Sequence, residues 1–349
     1  MKMYKKIGFS ISFTLCVLMT VCGQQPNTEN IKDKLSVKNK YSSYLFVYFT
    51  ANDKEGEQIR FALSDDGYNF KALNHNQPVL SSGKISESGG IRDPHIMRTV
   101  DGKTFYMVAT DMVAAKGWDS NQGLVLLKST NLIDWKSSKV NVPNTFSAFK
   151  FVNRAWAPQT IYDSVKKKYM IYWSMRSGNE ADKIYYAYVN KDFTAFETEP
   201  KQLFFEPHNK ACIDGDIIYY KGKYHLFYKD EDNLNGIKKA VSNQLTEGYV
   251  KQDKPLQLTT ESVEGSCVFK LNNSDSWILM YDVYKKGQFQ FTKSDDLENF
   301  KLIDQEVTMD FHPRHGTVMS ITKKEAKRLR KKWMIDTETV NQPNQTEKK

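Results

Sequence analysis

The chain carries only four cysteines in 349 residues, and their positions exclude a disulfide scaffold. Cys16 and Cys22 fall in an N-terminal leader, which leaves Cys212 and Cys267 for the body of the protein. No C-x-x-C pair and no metal-ligand spacing is present. The two body cysteines read as buried thiols, with one disulfide as the alternative. Long apolar runs are also lacking. The only one, Ile7 to Val21, spans about 15 residues, too short for a comfortable membrane crossing. Between Tyr41 and the last stretch of the body no amphipathic helical period persists, which excludes a helical bundle. The formal charge is +9, yet no arginine stripe interleaved with aromatics exists, which argues against nucleic acid as a partner. Much of the excess charge sits at the two ends, in Lys2, Lys5 and Lys6 and between Lys323 and Lys332.

What is present is enough for a core, with 40% hydrophobic and 13% aromatic residues. Lys2, Lys5 and Lys6 ahead of the apolar run make a signal peptide over residues 1–23, with cleavage expected after Gly23. Cys22 offers a second outcome, a lipid-modified cysteine, although Val21 fits that pattern poorly. The expectation is therefore export, to the periplasm or cell surface, with a membrane link only through lipid on Cys22. Residues 24–40 are polar and aperiodic and read as a linker, residues 41–333 as one folded domain, and residues 334–349 as a polar tail.

The body repeats itself. A polar cluster followed closely by an aromatic recurs at Ser64-Asp65-Asp66-Gly67-Tyr68-Asn69-Phe70, Ser129 to Trp135, Asn190 to Phe196, Ser242 to Tyr249 (a weaker copy) and Ser294 to Phe300. Intervals of about 50 to 65 residues predict a five-bladed β-propeller, an all-β fold whose sheets bury their faces against their neighbours. An aromatic-rich second strand precedes each motif: Lys103–Val108, Lys168–Trp173, Lys223–Tyr228 and Trp277–Tyr281. The blade beginning with Tyr44–Phe49 lacks a first strand. Gly316–Ile321, at the far end, is predicted to supply it and so close the ring without free edges. The basic segment Lys323–Trp333 reads as a helix forming a solvated cap.

In a propeller the first strand of each blade lines the axis, so the entries to those strands should meet at one mouth. They read Arg92-Asp93-Pro94, Trp156-Ala157-Pro158, Ile213-Asp214-Gly215-Asp216, Glu264-Gly265-Ser266 and Arg314-His315-Gly316. Proline suits the start of a strand, so Asp93 is expected at a strand mouth, aimed at solvent or ligand. Carboxylates held together raise one another's pKa, as general acid/base chemistry requires. Asp216 reads as a structural partner of Asp214. The loops Ala114–Gln122 and Arg176–Asp182 are expected to shape a pocket.

Taken in order, Asp93-Pro94, Trp156-Ala157-Pro158, Ile213-Asp214, Glu264-Gly265 and His315-Gly316 resemble glycoside hydrolase family 43, a group of five-bladed propeller glycosidases. The resemblance covers Tyr44 to Ile321. It implies an exported inverting hydrolase acting on oligo- or polysaccharide, with Asp93 as general base, Glu264 as general acid and Asp214 as the carboxylate that orients and tunes the acid. Gly265 is expected to let substrate approach the backbone. Trp156, Arg92, Arg314 and His315 become candidates for sugar contact, with Trp118 a weaker one; Arg92, Arg154 and Arg314 either bond sugar hydroxyls or only neutralise the carboxylate cluster. No cofactor is required. The resemblance allows His315 to hold water or a calcium ion on the axis; a neutral hydrogen-bonded histidine is the alternative. Removal of terminal α-L-arabinofuranose from plant-type polysaccharide is the leading activity, with β-xylosidase, galactofuranosidase, exo-galactanase or a non-catalytic glycan-binding propeller as alternatives. Two departures, the Asp-Pro blade standing second in sequence and Ser266 replacing a usual proline, bear on substrate more than on mechanism.

Overall fold

The computed structural model describes residues 40–206, 210–231 and 236–334. The expected signal peptide, Cys22, nearly all of the expected linker and all but the first residue of the expected tail lie outside them. Five sheets form the ring, antiparallel throughout except for a short parallel edge pair, Thr308–Met309 on Asn69–Ala72, in one of them. Blade 1 has Ile91–Arg98 innermost, followed outward by Phe105–Asp111, Gly123–Ser129 and Lys136–Asn141. Blades 2, 3 and 4 repeat that order from inner strands Val152–Asp163, Cys212–Tyr220 and Glu264–Lys270. Blade 5 is built from both ends of the body: Gly316–Ile321 lies innermost and pairs with Ser43–Tyr48, Val47 opposite Thr317. The propeller and its two-ended closure are as the sequence predicts.

Strand alternation explains the packing. In blade 5, Leu45 and Val47 face the core shared with blade 1, while Tyr44, Phe46 and Tyr48 face the core shared with blade 4. Three further buried clusters lie between blades 1 and 2, 2 and 3, and 3 and 4. Each sheet is therefore buried on both faces, and the core is a set of five wedges rather than one centre. Cys212 and Cys267 are free, buried thiols in different blades.

The repeated polar motif is a turn closed by its own side chains. Ser64 Oγ accepts from Gly67 N at 2.8 Å and Asp66 Oδ1 from Asn69 N at 2.8 Å; Ser294 and Asp296 do the same for Leu297 and Asn299. Gly67, Leu132 and Leu297 sit at φ +84°, +66° and +63°, and the serine hydroxyl compensates for that unfavourable conformation. The motif recurs because each blade needs the same tight return.

Around the axis the inner strands are tied one to the next. Thr317 Oγ1 accepts from Ile96 N at 3.0 Å, His95 Nδ1 from Thr160 N at 3.2 Å, and Asp216 Oδ2 from Val268 N at 2.6 Å. Between blades 2 and 3 the link passes through Tyr172, whose hydroxyl donates to Gln159 at 3.0 Å and accepts from Ile217 N at 2.8 Å. The Cys267 sulfur takes the Val318 N–H and completes the circle. Asp216 thus ties blade 3 to blade 4.

The C-terminal helix departs from the expected solvated cap. Thr322 and Glu325 form a capping box, and Ala326 and Leu329 are buried in the wedge between blades 5 and 1. Trp333 stands edge-on to Phe61 at 5.7 Å, and Arg98 grips Glu325 through bonds of 2.7 and 2.8 Å. The lysines are on the outer face, but the inner face braces the closing blade.

Candidate active site

Asp93 is not at a strand entry. It lies inside the strand Ile91–Arg98, where pairing slips between Arg92 and His95. The same slip occurs between Trp156 and Gln159, Ile213 and Asp216, and Glu264 and Cys267. At each bulge one residue turns left-handed: Asp93 at φ +47°, Ala157 at +47°, Asp214 at +57° and Gly265 at +64°. A bulge re-aims side chains that a regular strand would direct into the neighbouring blades. Pro94 and Pro158 follow the left-handed residue, where the ladder is broken and no backbone donor is needed.

The re-aimed residues meet in one pocket, lined by Arg92, Asp93, Met112, Trp118, Trp156, Ile213, Asp214, Glu264 and His315. All three predicted carboxylates are there, each from a different blade, with three of the four predicted sugar-contact residues. The fourth, Arg314, reaches the same cluster by donating to Glu264 Oε1 at 2.7 Å. Trp118, the weaker candidate, stands 6.1 Å from Trp156 at 79° and is about half exposed. Arg154 stacks over Trp156 at 4.2 Å and pairs with Asp119 and Asp182, so it braces that wall.

Each carboxylate has a distinct setting. Asp93 Oδ2 accepts from the Thr110 hydroxyl at 2.9 Å, and Thr110 accepts in turn from Ala157 N at 2.8 Å, which fixes the direction of its proton. Asp93 Oδ1 lies 3.6 Å from His315 Nδ1. Asp214 is buried, with its N–H on Ser174 Oγ and its Oδ2 receiving Gly265 N, both at 2.9 Å. Burial pushes its pKa up to about 6; Glu264 and Asp93 push the same way, against His315 and Lys229. Glu264 is held at both oxygens, by Arg314 at 2.7 Å and by Lys229 at 3.4 Å. Burial pulls the Lys229 ammonium down, but Glu264, Glu231 and Asp214 outweigh it and raise its pKa. Arg314 also pairs with the fully buried Asp282, whose carboxyl burial pushes up to about 6 despite that arginine.

Gly265 has a reason to be glycine within the fold itself. A Cβ there would lie 2.7 Å from His315 Cγ, so the position combines a left-handed backbone with a histidine ring packed on it. His95, the other axial histidine, is pushed down to about 3 by burial and by His315, and stays neutral. Among the described residues no group of three or more histidine, cysteine, aspartate or glutamate side chains converges to hold a metal. Calcium takes six to eight oxygens, waters among them, so an ion at His315 would draw most of its ligands from water.

Thr110, Ser174, Lys229 and Asp282 were missed from sequence, yet they share a signal. They stand opposite Arg92, Trp156, Ile213 and Glu264 in the second strands of blades 1 to 4. Each is the polar residue that ends an aromatic-rich run, and all four supply the supporting polar shell.

Comparison with known proteins agrees with this architecture. A family model described as "Probable glycosyl hydrolase domain", of the family-43-related type, matches residues 39–327. An α-L-arabinofuranosidase of Bifidobacterium longum is 25% identical over 297 residues, which is 74% of this chain and 26% of that protein. The chain thus spans about a quarter of the length of that relative. Among solved structures, a family-43 β-1,3-galactosidase superposes with a TM-score of 0.57 at 14% identity, over 76% of this chain and 58% of that one. An α-L-arabinofuranosidase of Clostridium thermocellum gives 0.53 at 14% identity, over 75% and 90%. An endo-1,4-β-xylanase of Bacteroides thetaiotaomicron gives 0.53 at 15%, over 81% and 97%. At these identities the superpositions speak for the fold alone, while the match across residues 39–327 shows that the chain belongs to glycoside hydrolase family 43.

Proposed function

We propose that the protein is an exported inverting glycosidase that removes terminal sugars, with α-L-arabinofuranose as its leading substrate. One observation carries the reading: three carboxylates from blades 1, 3 and 4 converge beside two tryptophans and two arginines in a single mouth. Asp93 takes a proton from water as that water attacks the anomeric carbon. Glu264 gives its proton to the glycosidic oxygen as the bond breaks, so the proton count balances and the configuration inverts. Inversion needs a gap of about 6.5–9.5 Å between acid and base to admit the water. Blades 1 and 4, separated by blade 5, suit that spacing. Asp214, through the Gly265 N–H, sets the backbone that carries Glu264.

The arabinofuranosidase relative favours arabinofuranose; the galactosidase and xylanase neighbours make galactosides and xylosides the competing substrates. Nitrophenyl arabinofuranoside, xyloside, galactofuranoside and galactoside, with arabinan, xylan and arabinogalactan, form the test panel. Activity on the arabinofuranoside that falls by about 10²-fold or more in Glu264→Gln supports the assignment. Full activity in the variant removes Glu264 from the acid role, and a retained anomer by NMR overturns inversion. Inert wild type across the panel would leave a glycan-binding propeller. Export rests on the leader and is tested by cell fractionation, with radiolabelled palmitate on Cys22 reporting lipidation.

A further inference from the structure

Glu57 lies outside the pocket in the connection between the first two strands of the chain, and its side chain is fully buried. A buried carboxylate is costly unless it is paired and hydrogen-bonded. This one is spent on two pocket elements at once. Its Oε1 accepts from Arg92 Nη1 at 3.2 Å and from the backbone N–H of Ala114 at 2.8 Å. Ala114 opens the loop that carries Trp118. The Glu57 carbonyl also accepts from Ile91 N at 2.8 Å, at the start of the strand that bears Asp93.

Arg92 is held from several directions. It donates to Asn52 Oδ1 at 2.7 Å, and its guanidinium lies 4.5 Å from the Phe49 ring and 5.3 Å from the Trp118 ring. Asn52 also receives Arg314 at 3.5 Å, which links this cluster to the arginine on Glu264. Gly90 admits the arrangement, since a Cβ there would lie 3.1 Å from Glu57 Oε2 and 2.2 Å from the Met112 carbonyl. Arg92 and Trp118 are thus one sugar-facing unit, and Glu57 is the only group that bonds to the arginine and to the tryptophan's loop together among the contacts described.

We infer that Glu57 is a positioning residue for sugar binding: it sets Arg92 and the Trp118 loop in register with each other and touches no reacting atom. This rests on the glycosidase reading above. Loss of Glu57 should weaken ground-state and transition-state binding alike, which raises KM and spares kcat.

The test compares wild type, Glu57→Ala and Glu57→Gln on whichever panel substrate the wild type hydrolyses, together with hydrogen exchange of the 112–120 backbone. Glutamine keeps the acceptor for Ala114 and removes the charge opposite Arg92. The expected result is a KM raised about tenfold in Glu57→Ala with kcat within about threefold, and a smaller rise in Glu57→Gln. Exchange at Ala114 should quicken in alanine and not in glutamine. If alanine does not fold, glutamine alone decides, through a raised KM at unchanged kcat. Unchanged KM in the folded variants, or an equal fall in kcat and kcat/KM, overturns the inference. Should the wild type prove inert, the glycosidase reading fails separately, and the exchange measurement still decides whether Glu57 holds the loop.

Discussion

Replacing Asp216 by asparagine should stabilise the protein at neutral and alkaline pH. Asp216 is buried on the axis, accepts from Val268 N at 2.6 Å, and faces Tyr172, Cys267 and His315. Burial pushes its carboxyl from the ordinary 3.8 up to about 7, with the Val268 N–H and His315 pulling back. The folded pKa is raised above the unfolded one, so the stabilisation from holding this proton is complete below about pH 4 and lost as pH rises to about 7. A difference of about three units at about 1.36 kcal/mol each makes that loss about 4 kcal/mol. Asparagine keeps the acceptor for Val268 and has no charge to bury, but its new amide N–H costs about 1–3 kcal/mol if unpaired. Asp216→Asn should therefore be close to wild type near pH 5 and more stable by about 1–3 kcal/mol near pH 8. Urea unfolding at both pH values measures the gap, which should widen by about 2–3 kcal/mol between them. A gap that does not change with pH would refute the reasoning, because it would mean that Asp216 is not holding a proton in the fold.

Three further outcomes are expected. Gly265→Ala should lose about 10²-fold or more in kcat/KM, since the new methyl collides with the His315 ring at a left-handed position beside Glu264; steady-state kinetics near wild-type values would show that the ring can move. Leu329→Ala in the C-terminal helix should cost about 2–4 kcal/mol in urea unfolding, because Leu329 is buried in the wedge that closes the ring; a solvated helix would lose under about 0.5 kcal/mol. Reducing agent should leave Tm unchanged, and Cys212 and Cys267 should both alkylate only after denaturation, as free thiols in separate blades; protection from alkylation in denaturant would indicate a disulfide.

Much of this protein is legible locally. Each blade repeats a polar turn, anchored on a serine in four blades and on Asn190 in blade 2, and an aromatic second strand, and both depend on residues within a few positions of one another, so a single sequence displays them five times. The carboxylates are legible for the same reason: Asp93 and Asp214 stand at the same position of the inner strands of blades 1 and 3, and Glu264 stands one residue before that position in blade 4. Ring closure was also readable, because a blade without a first strand and a strand without a blade stood at opposite ends. What the sequence could not show depends on contacts across the ring. Asp93 owes its aim to a bulge and not to a strand entry, and a bulge is defined only against the partner strand. Gly265 answers to the ring of His315, 50 positions away in sequence. Glu264 acquires Arg314 and Lys229, and the basic helix acquires a buried face, only when blades 3, 4, 5 and 1 come together. Local hydrogen-bonding and alternation patterns are written residue by residue, whereas the electrostatic setting of each carboxylate is the sum of distant groups brought close, and that sum exists only in the closed propeller.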